Sequence, residues 1–176
     1  GKEAANAYVI GTRKNIQNDI PIIGKYNVNN SGSGDMYPKG ANMLHTLRQI
    51  LNNDEKWRAI LRGLNKEFYH QTVTTQQIEN YLSLHIGRNL TPVFDQYLRD
   101  IRIPKLEYQQ EGKKLKYRWT NSVANFDMPV KIIVDGKEKW LEPTTTWKET
   151  KGFKKNATIQ VDPNFYIETE AIVAKR

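Results

Sequence analysis

The residues best placed to do chemistry lie in one run, Asp35-Met36-Tyr37-Pro38-Lys39-Gly40-Ala41-Asn42-Met43-Leu44-His45. A phenol can donate or accept a hydrogen bond, a carboxylate can accept one, and an imidazole titrates near neutral pH. Tyr37 is singled out because it falls where a loop hands over to a helix, and such junctions present side chains to clefts. Tyrosines also pack against helix starts for structural reasons, so position alone assigns no role. Asp35 is expected to cap the helix that follows, with lining of the same cleft as the alternative. His45 stands two turns beyond Tyr37, and a lone helical histidine is more often a packing or surface residue than a catalyst.

The elements that must position Tyr37 are readable on both sides of it. Before it, Asn29-Asn30-Ser31-Gly32-Ser33-Gly34 has no apolar residue and two glycines free to take positive φ, which predicts a loop. After it, Pro38 suits a first helical position, and Ala41, Leu44, Leu47 and Leu51 recur at helical spacing to about Asn52. Upstream, Lys2 to about Ile16 reads as a helix carrying Ala5, Tyr8 and Val9. It lacks an initiating Met, which suggests a piece excised from a longer chain. Asn18 to Gly24 is then a connecting loop with an apolar plug, because Pro21 forbids a continuing helix.

Downstream, Asn52-Asn53-Asp54 supplies a stop and a cap for a helix whose buried stripe is Trp57, Ile60, Leu61 and Leu64. Thr74 with Gln77 forms a capping box ahead of Ile78, Tyr81, Leu82 and His85, and Gly87 ends that helix. Thr91-Pro92 opens a last helix with Phe94, Tyr97 and Leu98 on one face. The joining turns are short, which predicts a compact helical bundle closed by Pro104.

Beyond Pro104 the period changes to two. Leu106 and Tyr108, then Leu115, Tyr117 and Trp119, then Val130, Ile132 and Val134 alternate with polar residues. Asp135-Gly136 signals a hairpin, and Thr144 to Trp147, Ala157 to Val161 and Phe165 to Ile167 read as further strands. The expectation is α+β in two domains: a helical unit over 1–104 and a small antiparallel β-sandwich of six or seven strands over 105–176.

Composition excludes some chemistry. Zero Cys among 176 residues removes disulfides and thiolate catalysis, and no run is apolar enough to span a membrane. His45, His70 and His85 have no metal-site spacing, and His70 reads as connecting structure. Neither Gly32 with Gly34 nor Lys39-Gly40 fits a phosphate-binding loop. A net charge of +8 raises a nucleic-acid partner. However, Lys113, Lys114, Lys116 and Arg118 alternate with Leu115, Tyr117 and Trp119, as on the solvated face of a strand. The four tryptophans, Trp57, Trp119, Trp140 and Trp147, fit core stripes better than a base-stacking platform. From these arguments alone the function stays open.

The run Tyr37-Pro38-Lys39-Gly40-Ala41, followed by Met43-Leu44-His45-Thr46-Leu47-Arg48, resembles the catalytic-tyrosine segment of zinc aminopeptidases of the aminopeptidase N family, usually written Tyr-Glu-Lys-Gly-Ala. Gln71-Thr72-Val73-Thr74-Thr75 and Leu90-Thr91-Pro92-Val93-Phe94-Asp95-Gln96-Tyr97-Leu98 look like later helices of that family's catalytic domain, and Lys2 to Tyr8 like the helix shortly after its third zinc ligand. Tyr117-Arg118-Trp119, Phe126-Asp127-Met128-Pro129-Val130 and Asn164-Phe165-Tyr166 are similar to the β-sandwich domain that follows. The resemblance therefore implies the C-terminal lobe of a thermolysin-like (gluzincin) catalytic domain joined to an immunoglobulin-like sandwich.

It further implies a peptide hydrolase acting on N-terminal residues, with Tyr37 as catalytic donor to the tetrahedral oxyanion. A phenol suits that task because it is protonated at neutral pH. Pro38 stands where the family motif has Glu. The His-Glu-x-x-His zinc helix and its distant Glu have no counterpart here, so zinc, general base and substrate-amine anchor belong to the complete parent. This piece is expected to be inactive alone, to hold no cofactor or metal, and to have the missing N-terminal part of the catalytic domain and the parent's peptide substrate as partners. No nucleic-acid or membrane partner is expected, and self-association is expected where apolar surface is left uncovered. The alternative is a non-enzymatic protein-interaction module in which Tyr37 is structural.

Overall fold

The computed structural model describes residues 1–30 and 32–173; Ser31 of the predicted loop lies outside the described residues. The architecture is α+β. Among the described residues five α-helices come first: α1 (Lys2–Gly11), α2 (Pro38–Leu51), α3 (Asp54–Glu67), α4 (Thr75–Ile86) and α5 (Thr91–Leu98). Seven strands follow among the described residues: β1 (Lys105–Glu111), β2 (Lys114–Thr120), β3 (Val130–Val134), β4 (Lys137–Leu141), β5 (Lys148–Lys151), β6 (Ile159–Val161) and β7 (Glu168–Ala171).

Local chemistry accounts for most helix boundaries. Pro38 occupies the first turn of α2, and Asn52 ends it in the left-handed conformation at φ 50°. Asn53 caps α3 by accepting from the Lys56 amide at 2.9 Å. The Thr74–Gln77 capping box opens α4, with Gln77 Oε1 accepting from the Thr74 amide at 2.8 Å, and Gly87 closes it at φ 85°.

The strands form two sheets, ordered β5-β2-β1-β7 and β4-β3-β6. Leu115, Tyr117 and Trp119 of β2 are buried in alternation, and in β3 Val130, Ile132 and Val134 are buried together with Lys131 between them. Asp135-Gly136, both at positive φ, turn β3 into β4. The purely antiparallel expectation fails at one pair: β7 runs parallel to β1, with Leu106 opposite Thr169.

Two predicted strands are also displaced. Residues 144–147 are irregular and the strand begins at Lys148, while Phe165 to Ile167 form a turn ahead of β7. Asp162 enforces that turn, since its side chain accepts from the Asn164 amide at 3.0 Å and its carbonyl from the Phe165 amide at 3.2 Å. The turn delivers Phe165 and Tyr166 into the core, where the Tyr97 hydroxyl donates to the Tyr166 carbonyl at 2.6 Å. One buried cluster thus runs from Met43 and Leu47 through Phe94 and Tyr97 to Trp119, Ile132 and Phe165.

Tryptophan placement is split. Trp57 and Trp119 are buried, and Trp119 Nε1 donates to the Met128 carbonyl at 3.0 Å. Trp140 and Trp147 are exposed instead, the latter under the Arg118 guanidinium at 4.5 Å, so two of the four are not core residues. Leu61, at the edge of the α3 stripe, is likewise exposed.

Candidate functional site at the Tyr37 junction

Tyr37 links a short 3-10 turn, Gly34–Met36, to α2, and its side chain is 76% exposed. Its amide donates to the Gly34 carbonyl at 3.3 Å and its carbonyl accepts from the Ala41 amide at 2.9 Å, so its backbone belongs to both turns. Along α2, Ala41 and the exposed Leu44 follow Tyr37 at four and seven residues, giving one outward stripe. Of the residues read at helical spacing, Leu47 is buried while Ala41 and Leu44 lie on the solvent side.

What faces inward is partly polar: Met43 and Leu47 join the core, and polar side chains are buried beside them. Lys39, Asn42, Thr46 and Gln49 recur at helical spacing and are all buried, and each has a partner distant in sequence or on the next turn. Lys39 Nζ donates to the Asp100 carbonyl at 2.8 Å. Burial lowers the Lys39 ammonium's pKa from its usual value, opposed by the Asp35 and Asp100 carboxylates. Asn42 accepts from Arg13 Nε at 2.8 Å and donates to the Pro38 carbonyl at 2.9 Å and the Thr12 hydroxyl at 3.0 Å. The Thr46 hydroxyl accepts from the Tyr166 amide at 3.1 Å.

Asp35 does not cap α2, which has no side-chain cap. Its two carboxylate oxygens instead accept from consecutive backbone amides, Gln17 at 2.8 Å and Asn18 at 2.7 Å. The capping hydroxyl is Ser33, which accepts from the Asp35 amide at 3.1 Å and donates to Asp19 at 3.0 Å. Asp35 and Ser33 are each 2% exposed, so the turn before Tyr37 is clamped onto residues 17–19 out of water.

His45 is buried and faces the strand region rather than joining Tyr37. Its Nε2 lies 3.0 Å from Asn164 Oδ1 and 3.3 Å from Gln49 Nε2. Asn164 also donates through Nδ2 to Asp162 at 2.8 Å, which turns its oxygen toward the imidazole. Burial pulls the imidazole below its ordinary value; the Asn164 hydrogen bond acts in the opposite sense. His85 is exposed against the Tyr81 ring, and His70 occupies a turn at φ 52°.

Arg13 is the functional-looking residue that periodicity does not reveal. Its guanidinium lies 5.4 Å over the Tyr166 ring with Nη2 buried and without a hydrogen-bond partner, and burial lowers its pKa. The readable signal was the polar stripe of α2, which breaks the apolar period and announces buried partners. Among the described residues no group of three or more His, Cys, Asp or Glu is gathered as a metal-ligand set.

Solved structures share the fold. Legionella pneumophila aminopeptidase A, in a crystal structure with aspartic acid, matches with a TM-score of 0.64 at 13% identity, over 78% of this chain and 18% of that chain. No family model and no curated protein matches the sequence. The chain thus spans 18% of that peptidase's length, and at such identity what the two share is a fold.

Proposed function

We propose that this chain forms part of a zinc aminopeptidase of the aminopeptidase N family and that Tyr37 hydrogen-bonds the oxyanion formed as water adds to a scissile N-terminal peptide bond. The observation that carries the reading is the contrast at the junction: a phenol 76% exposed beside Ser33, Asp35 and Lys39, all three at 2% or less. A donor of this kind stabilises a transition state only if its position is fixed before the charge develops. The clamp on Gln17 and Asn18 and the Lys39 bond to Asp100 supply that fixity. The Tyr37-to-Arg48 motif and the shared fold support the same reading.

The residues present do not make a zinc site, and no catalytic step through a metal is assigned to them. The metal, its ligands and the general base belong, in this reading, to residues outside the chain. Residues 1–104 are then the C-terminal lobe of the catalytic domain and 105–176 an immunoglobulin-like sandwich domain. Assaying the chain alone against aminoacyl chromogenic substrates is expected to give no turnover. Robust turnover with stoichiometric zinc would overturn the proposal.

One observation favours a second reading, a protein-interaction module. Helix α1 buries no residue, and Tyr8, Tyr26 and Val28 are exposed. A longer parent sequence without a His-Glu-x-x-His helix ahead of Gly1 would select the module over the peptidase.

A further inference from the structure

Six lysines dispersed over residues 113–154 meet at one end of the strand region. Lys113 lies in the β1–β2 turn and Lys114 opens β2, Lys137 and Lys139 lie on β4, and Lys151 ends β5 with Lys154 just beyond it. Strand pairing sets Lys114 opposite Lys151. The Phe153 amide donates to the Lys113 carbonyl at 3.2 Å, and Lys139 Nζ lies 4.7 Å from the centre of the Phe153 ring. Lys137, Lys139 and Lys154 line one cleft of about 220 Å³ beside Asp135 and Gly152.

All six lysines are exposed. Two carboxylates answer them: Glu149 pairs with Lys114 at 3.0 Å, and Asp135 lies 4.0 Å from Lys154. The nearby Glu138 and Glu111 are turned to Lys131 and Lys116. Lys113, Lys137, Lys139 and Lys151 have no ion pair among the described residues.

We propose that this end of the protein docks on an anionic lipid bilayer. Lysine ammoniums are hydrated point charges that need no bidentate geometry, which suits a diffuse negative surface better than a specific phosphate. Phe153, the ring beside Lys139, is buried and is not free to stack on nucleic-acid bases. No described helix is long and apolar enough to cross a membrane, and the contact is peripheral and electrostatic. The inference is independent of the peptidase reading.

Flotation of the 176-residue chain with phosphatidylcholine vesicles containing about a third phosphatidylglycerol tests it. Binding is expected at 50 mM salt, is lost at 300 mM salt, and is absent with pure phosphatidylcholine. Each lysine near such a surface strengthens binding by about fivefold, so Lys113→Gln, Lys137→Gln, Lys139→Gln and Lys151→Gln together are expected to weaken it by on the order of a hundredfold or more. The matched variant Lys14→Gln, Lys25→Gln, Lys56→Gln and Lys66→Gln, exposed on the helical region, is expected to bind nearly as the parent does. No binding to anionic vesicles, equal loss in both variants, or tighter binding to duplex DNA or single-stranded RNA at the same salt would each overturn the proposal.

Discussion

Lys39 Nζ donates to the Asp100 main-chain carbonyl at 2.8 Å, tying the first turn of α2 to the segment after α5 with the lysine 1% exposed. Lys39→Met keeps the stem and removes the ammonium. The lost charged hydrogen bond is worth about 1.5–3 kcal/mol, part of which is offset by no longer burying a charge. Asp35→Asn, which deprives one buried amide of its acceptor, is expected to cost at least as much. Urea unfolding reads both; two variants as stable as the parent would show that the clamp does not hold the junction.

Acid is expected to destabilise the fold in two windows. His45 has a folded pKa below the ordinary 6.5, so below that pH the unfolded chain binds the additional proton and stability falls. Asp54 is held at about 2, against an ordinary 3.8, chiefly by its hydrogen bond from Arg48. Its contribution, present above 3.8, disappears as pH falls toward 2. Unfolding midpoints between pH 8 and pH 5 are therefore expected to fall in the parent and to flatten in His45→Gln. An equal slope in the variant would remove His45 as the cause.

A Cβ at Gly63 would collide with the Tyr81 hydroxyl, which donates to the Ile60 carbonyl at 3.1 Å. Helix propensity alone predicts that Gly63→Ala stabilises α3 by about 1 kcal/mol. The expected outcome is destabilisation in the parent and recovery of the gain in a Tyr81→Phe background. Thermal melts of the four-member cycle decide it, and stabilisation of the parent by Gly63→Ala would refute the contact.

Removing the Tyr97 hydroxyl, fully buried on the Tyr166 carbonyl, leaves that carbonyl unsatisfied at the seam between helices and strands. Tyr97→Phe is expected to cost about 1–3 kcal/mol. Denaturant titration checks it, and a change within error would show that the carbonyl has another partner.

What could be read from the sequence was local. Thr74 with Gln77, Asn53 with Lys56 and Asp135-Gly136 act over two to four residues, and each does in the fold what its chemistry requires. The Leu115, Tyr117 and Trp119 alternation likewise survives, because one face of β2 is buried. Periodicity misled where an element is buried through polar groups. In α2 the apolar Ala41 and Leu44 turn outward because Lys39, Asn42 and Thr46 find Asp100, Arg13 and Tyr166. Phe165 and Tyr166 read as strand residues, yet Asp162 bends them into the core. Tyr37 was placed at its loop-to-helix junction by Gly34 and Pro38, whereas the role of Asp35 depended on amides seventeen and eighteen residues away.

Turnover of the Tyr37→Phe variant in the complete peptidase implied by the proposal is the most direct measurement. Loss of one oxyanion donor is expected to lower kcat by about 10² to 10³. Stability should be unchanged, because the Tyr37 side chain is 76% exposed. An unaltered kcat, or a loss that tracks unfolding, would contradict the assignment of Tyr37 as the oxyanion donor.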